Sequence, residues 1–391
     1  MQALNELVQQ AKDTALGQAA LSPNEAEVAR QLQICNACRY CEGFCAVFPA
    51  MTRRLSFEQN DIHYMANLCH SCGACLHACQ YADPHDFQIN IPQSMAKVRL
   101  ETYQAYAWPK SMGKWYQHNG LWIAICLTVS LTFFIALIMM KQNASVFDGS
   151  KALSFYDILS HNALISLFAP IFIFDVIALG IGLFTFLSKI SPVTGEVGPS
   201  AQASLEATQN MLTLKYLDGG HGEGCNNEDD AFTLSKRRAH HLTFYGFMLC
   251  FASTSVATFY HYALDLPAPY DLSTLPKLLG VVGGVSLLLG SIGLAKLNLS
   301  RHKDHGDSQQ KPMDLGFIAL LILTSLSGLL LWLAAKTVAM PLLLALHLGS
   351  IMALFLTLPY GKFAHGIYRG AALVRFAVEK RQPSRLILKE D

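Results

Sequence analysis

Six stretches of this 391-residue chain stay apolar for about 20 residues: Leu121–Met140, Leu164–Leu187, Leu242–Leu264, Leu278–Leu297, Leu315–Ala335 and Leu342–Ala364. Each is long enough to cross a hydrocarbon core of about 30 Å as a helix. A backbone in lipid must satisfy its own hydrogen bonds, so such segments fold as helices packed side by side. The composition agrees, with 52% apolar and only 15% charged residues, against about a quarter charged in soluble domains. A net charge of +1 gives no reason to expect a polyanionic partner such as nucleic acid.

Charge between the spans sets an expected orientation. With the N-terminal region inside, the segments 188–241 and 298–314 and the C-terminal tail hold Lys189, Lys215, Lys236, Arg237, Arg238, Arg301, Lys303 and Lys311. The outside segments hold only Lys141 and Lys151, with Lys277 and Lys336 at helix edges. That bias is the positive-inside pattern, and an even number of spans puts both termini in the cytoplasm. The opening MQALNELVQQAKD has neither a basic nor an apolar signal region, so no cleavable signal is expected. The implied location is a bacterial inner (cytoplasmic) membrane.

Ahead of the spans lies a cysteine-rich region. Eight of the chain's 11 cysteines form two runs, Cys35-Cys38-Cys41-Cys45 and Cys69-Cys72-Cys75-Cys79, both spaced C-x2-C-x2-C-x3-C. Two-residue gaps let a short turn wrap thiolates around a cubane [4Fe–4S] cluster, and in two-cluster ferredoxins the fourth cysteine serves the other cluster. By that rule Cys35, Cys38, Cys41 and Cys79 hold one cluster, and Cys45, Cys69, Cys72 and Cys75 the other. Structural zinc usually takes two separated pairs, which a doubled run of four does not resemble. No proline directly follows either fourth cysteine, and a helical stretch, Phe57–Leu68, separates the runs. Both features point to a helical ferredoxin-like domain. Ser22-Pro23-Asn24-Glu25 reads as a helix start, and Ile91–Tyr106 as a second amphipathic helix leading to an interfacial belt of Trp108, Trp115 and Trp122. The expected architecture is all-α. A helical segment (1–34) and a dicluster domain (35–115) precede a six-span membrane domain (116–370) and a basic tail (371–391).

No C-x-x-C-H run for covalent haem occurs. On the last apolar stretch His347 and His365 are 18 residues apart, five full helical turns, so both imidazoles share a face. On the third, His261 stands near the outer end and His240 and His241 near the inner end. Matched by depth, His261 pairs with His347, and His240 or His241 with His365, which suggests haem b at one or both membrane faces. His118 and His161, at span edges, are alternatives. Asp175, midway through the second stretch, is costly in lipid; it is a candidate proton donor to a quinone. His221 and Cys225 supply too few ligands for a further metal and read as a surface loop. Cys126 and Cys250 read as small apolar residues, and Gly280-x-x-x-Gly284 as helix packing.

Four segments carry a resemblance: CNACRYCEGFCAVFPAMTRR, NLCHSCGACLHACQYADPH, HHLTFYGFMLCFASTSVATFYHY and LLLALHLGSIMALFLTLPYGKFAHGIYR. Together they resemble the tricarballylate (citrate) utilisation protein B family over residues 30 to 380. The resemblance implies a membrane iron–sulfur and haem protein that reoxidises an FAD-dependent dehydrogenase flavoprotein and passes electrons to the quinone pool. The last histidine pair is also similar to that of the haem-binding gamma subunit of respiratory nitrate reductase. Two other classes compete with an electron carrier: a membrane redox sensor or assembly protein whose clusters lie off any catalytic path, and a transporter. Scarce intramembrane charge and the lack of a repeat oppose the transporter.

Overall fold

A computed structural model describes residues 21–141, 155–190, 200–266 and 268–383. The first 20 residues and Lys151 lie outside them. The described chain is helical, with no strand beyond an isolated bridge between Cys225 and Thr233. In the cysteine-rich part, α1 (Pro23–Cys38) starts on a capping box: the Glu25 amide donates to Ser22 Oγ at 3.2 Å, and the Ser22 amide donates to Glu25 Oε2 at 2.7 Å. Two orphan amides are thereby satisfied at the expected helix start. Helices α2 (Val47–Met51), α3 (Gln59–Leu68), α4 (Ala74–His77) and α5 (Ile91–Tyr106) complete the domain. Ile62, Met65 and Leu68 of α3 recur at helical spacing and are fully buried, against Met95 and Val98 of α5 and Leu32 of α1 in one core.

The apolar stretches fold into six helices long and apolar enough to cross a membrane. They are α6 (Asn119–Lys141), α8 (His161–Ile190) after the single turn α7 (Phe155–Ile158), α10 (Ser235–Ala263) after the amphipathic α9 (Ala201–Leu212), α11 (Leu275–Ser300), α12 (Lys311–Leu333) and α13 (Met340–Thr357). At 30 residues, α8 extends about 45 Å, well beyond a hydrocarbon core. Its last turns leave the membrane layer: Phe186 packs edge-on against Tyr106 and Tyr368, and Ile190 joins the core of the cysteine domain.

Spans α10 and α11 meet on small residues. A Cβ on Gly246 would stand 2.4 Å from the Leu287 amide nitrogen, and one on Gly290 2.4 Å from that of Thr243. The expected Gly280 and Gly284 face different neighbours, Ser253 of α10 and Leu329 of α12. The close-packed ridge therefore runs through Gly283, Leu287 and Gly290 rather than through the pair legible as a motif.

The sixth stretch does not form one helix as expected. Span α13 ends at Thr357, a 3-10 turn covers Leu358–Tyr360, Gly361 is extended, and α14 (Ala364–Glu379) begins a separate helix. Pro359 removes an amide and crowds the preceding turn. The carbonyls this leaves are taken from outside, with Tyr116 Oη donating to Pro359 O at 2.6 Å and Asn119 Nδ2 to Tyr360 O at 2.7 Å. The stretch read as the start of a basic tail instead continues α14: Ala372, Leu373 and Phe376 enter the cysteine-domain core, and Glu379 binds Arg54 at 2.5 Å.

Candidate metal centres

The fold gathers the cysteines into two crossed quartets. Cys35, Cys38, Cys41 and Cys79 line one cavity of about 260 Å³ with Phe48 and Ile89, opening beside Tyr40, which is 68% exposed. Cys45, Cys69, Cys72 and Cys75 line a second, tighter cavity under Phe44, Phe48 and Ile91. Left-handed backbone at Arg39, Ser71 and Gly73 turns the chain between successive cysteines. Burial, then the neighbouring thiols Cys79, Cys41 and Cys38, pushes Cys35 up to about 12. Cys41 is likewise pushed up to about 12, and Cys45 and Cys75 well above the usual thiol range, by burial and neighbouring thiols. A bound cation inverts this, because it stabilises the thiolates that otherwise repel. Among the described residues no three His, Cys, Asp or Glu groups converge closely enough to share a single metal ion. A four-iron cubane holds its thiolates farther apart than one zinc ion does, so the donor sets fit the cluster better.

Cys225 is a correction. Its glycine-rich segment is exposed at His221, Gly222, Glu223, Glu228, Asp229 and Asp230, as a surface loop should be, but the Cys225 thiol is fully buried, donates to the Leu217 carbonyl at 3.3 Å and packs with Cys72 of the second quartet. Gly220 makes the approach possible: at φ +88°, a Cβ there would stand 1.9 Å from the Phe44 carbonyl oxygen. His221 packs edge-on against Phe44 and Phe232. The run of glycines was the available sequence signal. A segment that must lie flat on backbone needs them.

Beneath the second quartet lie the inner histidines. The rings of His240 and His365 approach to 6.1 Å between centroids at 74°. His365 Nδ1 donates to the Lys362 carbonyl, which orients the ring and leaves Nε2 as the free nitrogen, the usual support for a metal-bound imidazole. Burial, then Arg369 and Lys362, holds His365 well below the usual imidazole range, so its lone pair is unprotonated at neutral pH. His365 belongs to α14, not to the span of His347; the five-turn alignment is replaced by a bend that carries it over the head of α10. His70, passed over in sequence because it sits inside a cysteine run, lies between these elements. It is buried, with Nδ1 2.9 Å from the Leu68 carbonyl and its ring tilted against Tyr216 at 5.7 Å. His77 and His305 also went unrecognised; their Nε2 atoms are 2.6 Å apart, with Asp230 2.6 Å from His77 Nδ1.

The outer histidines differ from the depth-matched expectation. His261 packs against His161 at 4.0 Å between ring centroids, the rings tilted by 35°, and among the described residues no ring contact joins His261 to His347. His347 Nδ1 instead donates to Thr324 O at 3.1 Å and lies 3.2 Å from Ser327 Oγ, both on α12. His241 turns away, toward Tyr245. Asp175 is 3% exposed, and its Oδ2 has no hydrogen-bond partner among the described residues. It stands midway along α8, as expected, and its neighbour Phe174 meets Trp108 at 6.2 Å between ring centroids.

Comparison with known proteins converges on one family. The family model for citrate utilization protein B matches residues 117–385, and the one for its Fer4-like domain matches residues 28–105. The citrate utilization protein B of Escherichia coli is 54% identical over 382 residues, 98% of each chain. No solved structure matches. The chain belongs to the citrate utilization protein B family.

Proposed function

We propose that this chain is a membrane-bound electron carrier. In this reading it reoxidises a partner FAD-dependent dehydrogenase acting on a citrate- or tricarballylate-type acid and delivers the electrons to the quinone pool of a bacterial cytoplasmic membrane. The observation that carries the reading is the order of the donor sets. A cysteine quartet open to the surface is followed by an enclosed one, then His70, then the His240–His365 pair at the membrane. Clusters and haem b, when bound, supply one-electron chemistry between the two-electron flavin and quinone. The chain's residues do the rest. The quartets hold two [4Fe–4S] clusters, and His240 and His365 present imidazoles for an inner haem b. The exposed Tyr40 and Leu55 near the first quartet, 68% and 78% exposed, offer the flavoprotein a face. Asp175, buried and unpartnered near the interfacial belt, can give a proton to a quinone there. His347, with Nδ1 pinned, is the better supported outer ligand; His261, packed against His161, and His241, turned toward Tyr245, have weaker support.

The test uses membranes containing the chain, supplied anaerobically with the reduced flavoprotein and a quinone analogue. Quinone reduction together with a b-type band in the reduced-minus-oxidised spectrum is expected. Intact clusters without quinone turnover would contradict the reading and favour a sensor.

A further inference from the structure

Three cations from three separate elements donate into the turn Cys69-His70-Ser71 of the second quartet. Arg99 of α5 reaches the Cys69 carbonyl at 2.7 Å and Ser71 Oγ at 3.3 Å. Arg369 of α14 reaches the same Cys69 carbonyl at 2.9 Å, and Lys236, at the head of α10, reaches Ser71 O at 2.6 Å. Across the quartet, the Cys225 thiol donates to the Leu217 carbonyl at 3.3 Å and packs in one buried cluster with Cys72 and Ala74. The carboxylate acting on Cys225 is Asp218, which Arg237 approaches at 3.8 Å. The first quartet has a poorer set: the exposed Arg39 reaches only Asn36 O at 3.2 Å, and Arg54 is committed to Asp61 and Glu379.

A four-thiolate cluster is anionic and gains a further negative charge when reduced. Cations close by and hydrogen bonds to its ligand sulfurs therefore stabilise the reduced form more than the oxidised form and raise the potential. Burial alone acts the other way, so the enclosed quartet would be the harder to reduce were it not for these donors. We infer that the cluster of the Cys45/Cys69/Cys72/Cys75 quartet is the higher-potential one, and that the Cys225 thiol and the Lys236 ammonium hold it there. Electrons then run downhill from the surface quartet toward the membrane. Cys225, packed against Cys72, is thus a positioning residue whose S–H turns from the Leu217 carbonyl to the Cys72 sulfur when that sulfur is a cluster thiolate. The inference rests on the proposed reading that both quartets hold clusters.

An EPR-monitored redox titration of the purified full-length protein tests it, with wild type, Cys225→Ala, Cys225→Ser and Lys236→Gln compared. Two midpoint potentials are expected in wild type. Cys225→Ala should lower the higher one by about tenfold in the reduction equilibrium, about 59 mV for one electron, and leave the lower one in place. Cys225→Ser, which keeps a donor, should restore most of the loss. Lys236→Gln keeps the hydrogen bond to Ser71 without the charge and should lower the same signal. It provides the readout should the Cys225 variants not fold. A shift in the lower-potential signal, equal shifts in both, or no shift with clusters intact would overturn the inference alone. Wild-type protein without cluster iron would overturn the underlying reading as well.

Discussion

Every cysteine of the two quartets was legible because its neighbours along the chain are also its neighbours around a cavity; C-x2-C-x2-C closes on itself within two turns. The crossing of Cys45 and Cys79 was legible only through a rule learned from other clusters, and the cavities follow that rule. It predicts that Cys79→Ser perturbs the same EPR signal as Cys35→Ser, while Cys45→Ser perturbs that of Cys69→Ser. Signals grouped by sequence run instead would contradict the crossing. Cys225 was not legible, because its partner Cys72 is 153 positions away and only folding joins them. A second residue-scale prediction concerns Glu25. Burial raises its carboxyl, but bonds from His63 Nε2 at 2.6 Å and from the Ser22 amide outweigh that and hold it below the ordinary 4.5. A depressed carboxyl contributes stability that is present above its unfolded value and lost as pH falls through the folded one. The cysteine domain should therefore lose stability on acidification below about pH 4.5. Glu25→Gln should cost about 1.5–3 kcal/mol at neutral pH by removing a charged acceptor from buried hydrogen bonds and should flatten that acid limb, as thermal melts across pH would show.

At the scale of elements, periodicity found the helices and punctuation set their ends. Ser22 marked a start, and the Ile91–Tyr106 reading matches α5 end to end. The failures were of two kinds. Apolar length alone could not say that the last turns of α8 lie in a protein core instead of lipid, since both environments are apolar. One proline against twenty apolar residues was outvoted, yet α13 ends ahead of Pro359, and Tyr116 and Asn119 bind the carbonyls of Pro359 and Tyr360 past its end. Helix phase could not survive that bend, which is why the alignment of His347 with His365 failed while the approach of His240 to His365 did not depend on it. The small-residue seam between α10 and α11 makes a prediction at this scale. Gly246→Val places a methyl-bearing Cβ 2.4 Å from the Leu287 amide nitrogen, and overpacking of this kind costs about 1–3 kcal/mol or more. Folded yield and melting temperature in detergent should fall. At Gly180, where a Cβ meets nothing within 4 Å, Gly180→Ala should leave both unchanged.

Across the whole molecule, α8, α14 and the glycine-rich loop all cross from the membrane domain into the cysteine domain. The two are packed as one body around the second quartet, and Arg99, Arg369 and Lys236 sit at the junction. None of this was visible in the sequence, where cysteines and spans occupy separate halves of the chain. The account turns on a continuous path from the enclosed quartet through His70 to His240 and His365. The direct measurement is stopped-flow reoxidation of the fully reduced protein by a quinone analogue, following cluster and haem absorbance in wild type and His365→Ala. The account predicts that His365→Ala keeps both cluster EPR signals, loses the b-type absorbance of the inner haem, and slows cluster reoxidation by about tenfold or more. Clusters reoxidised by quinone at the wild-type rate in His365→Ala would contradict it.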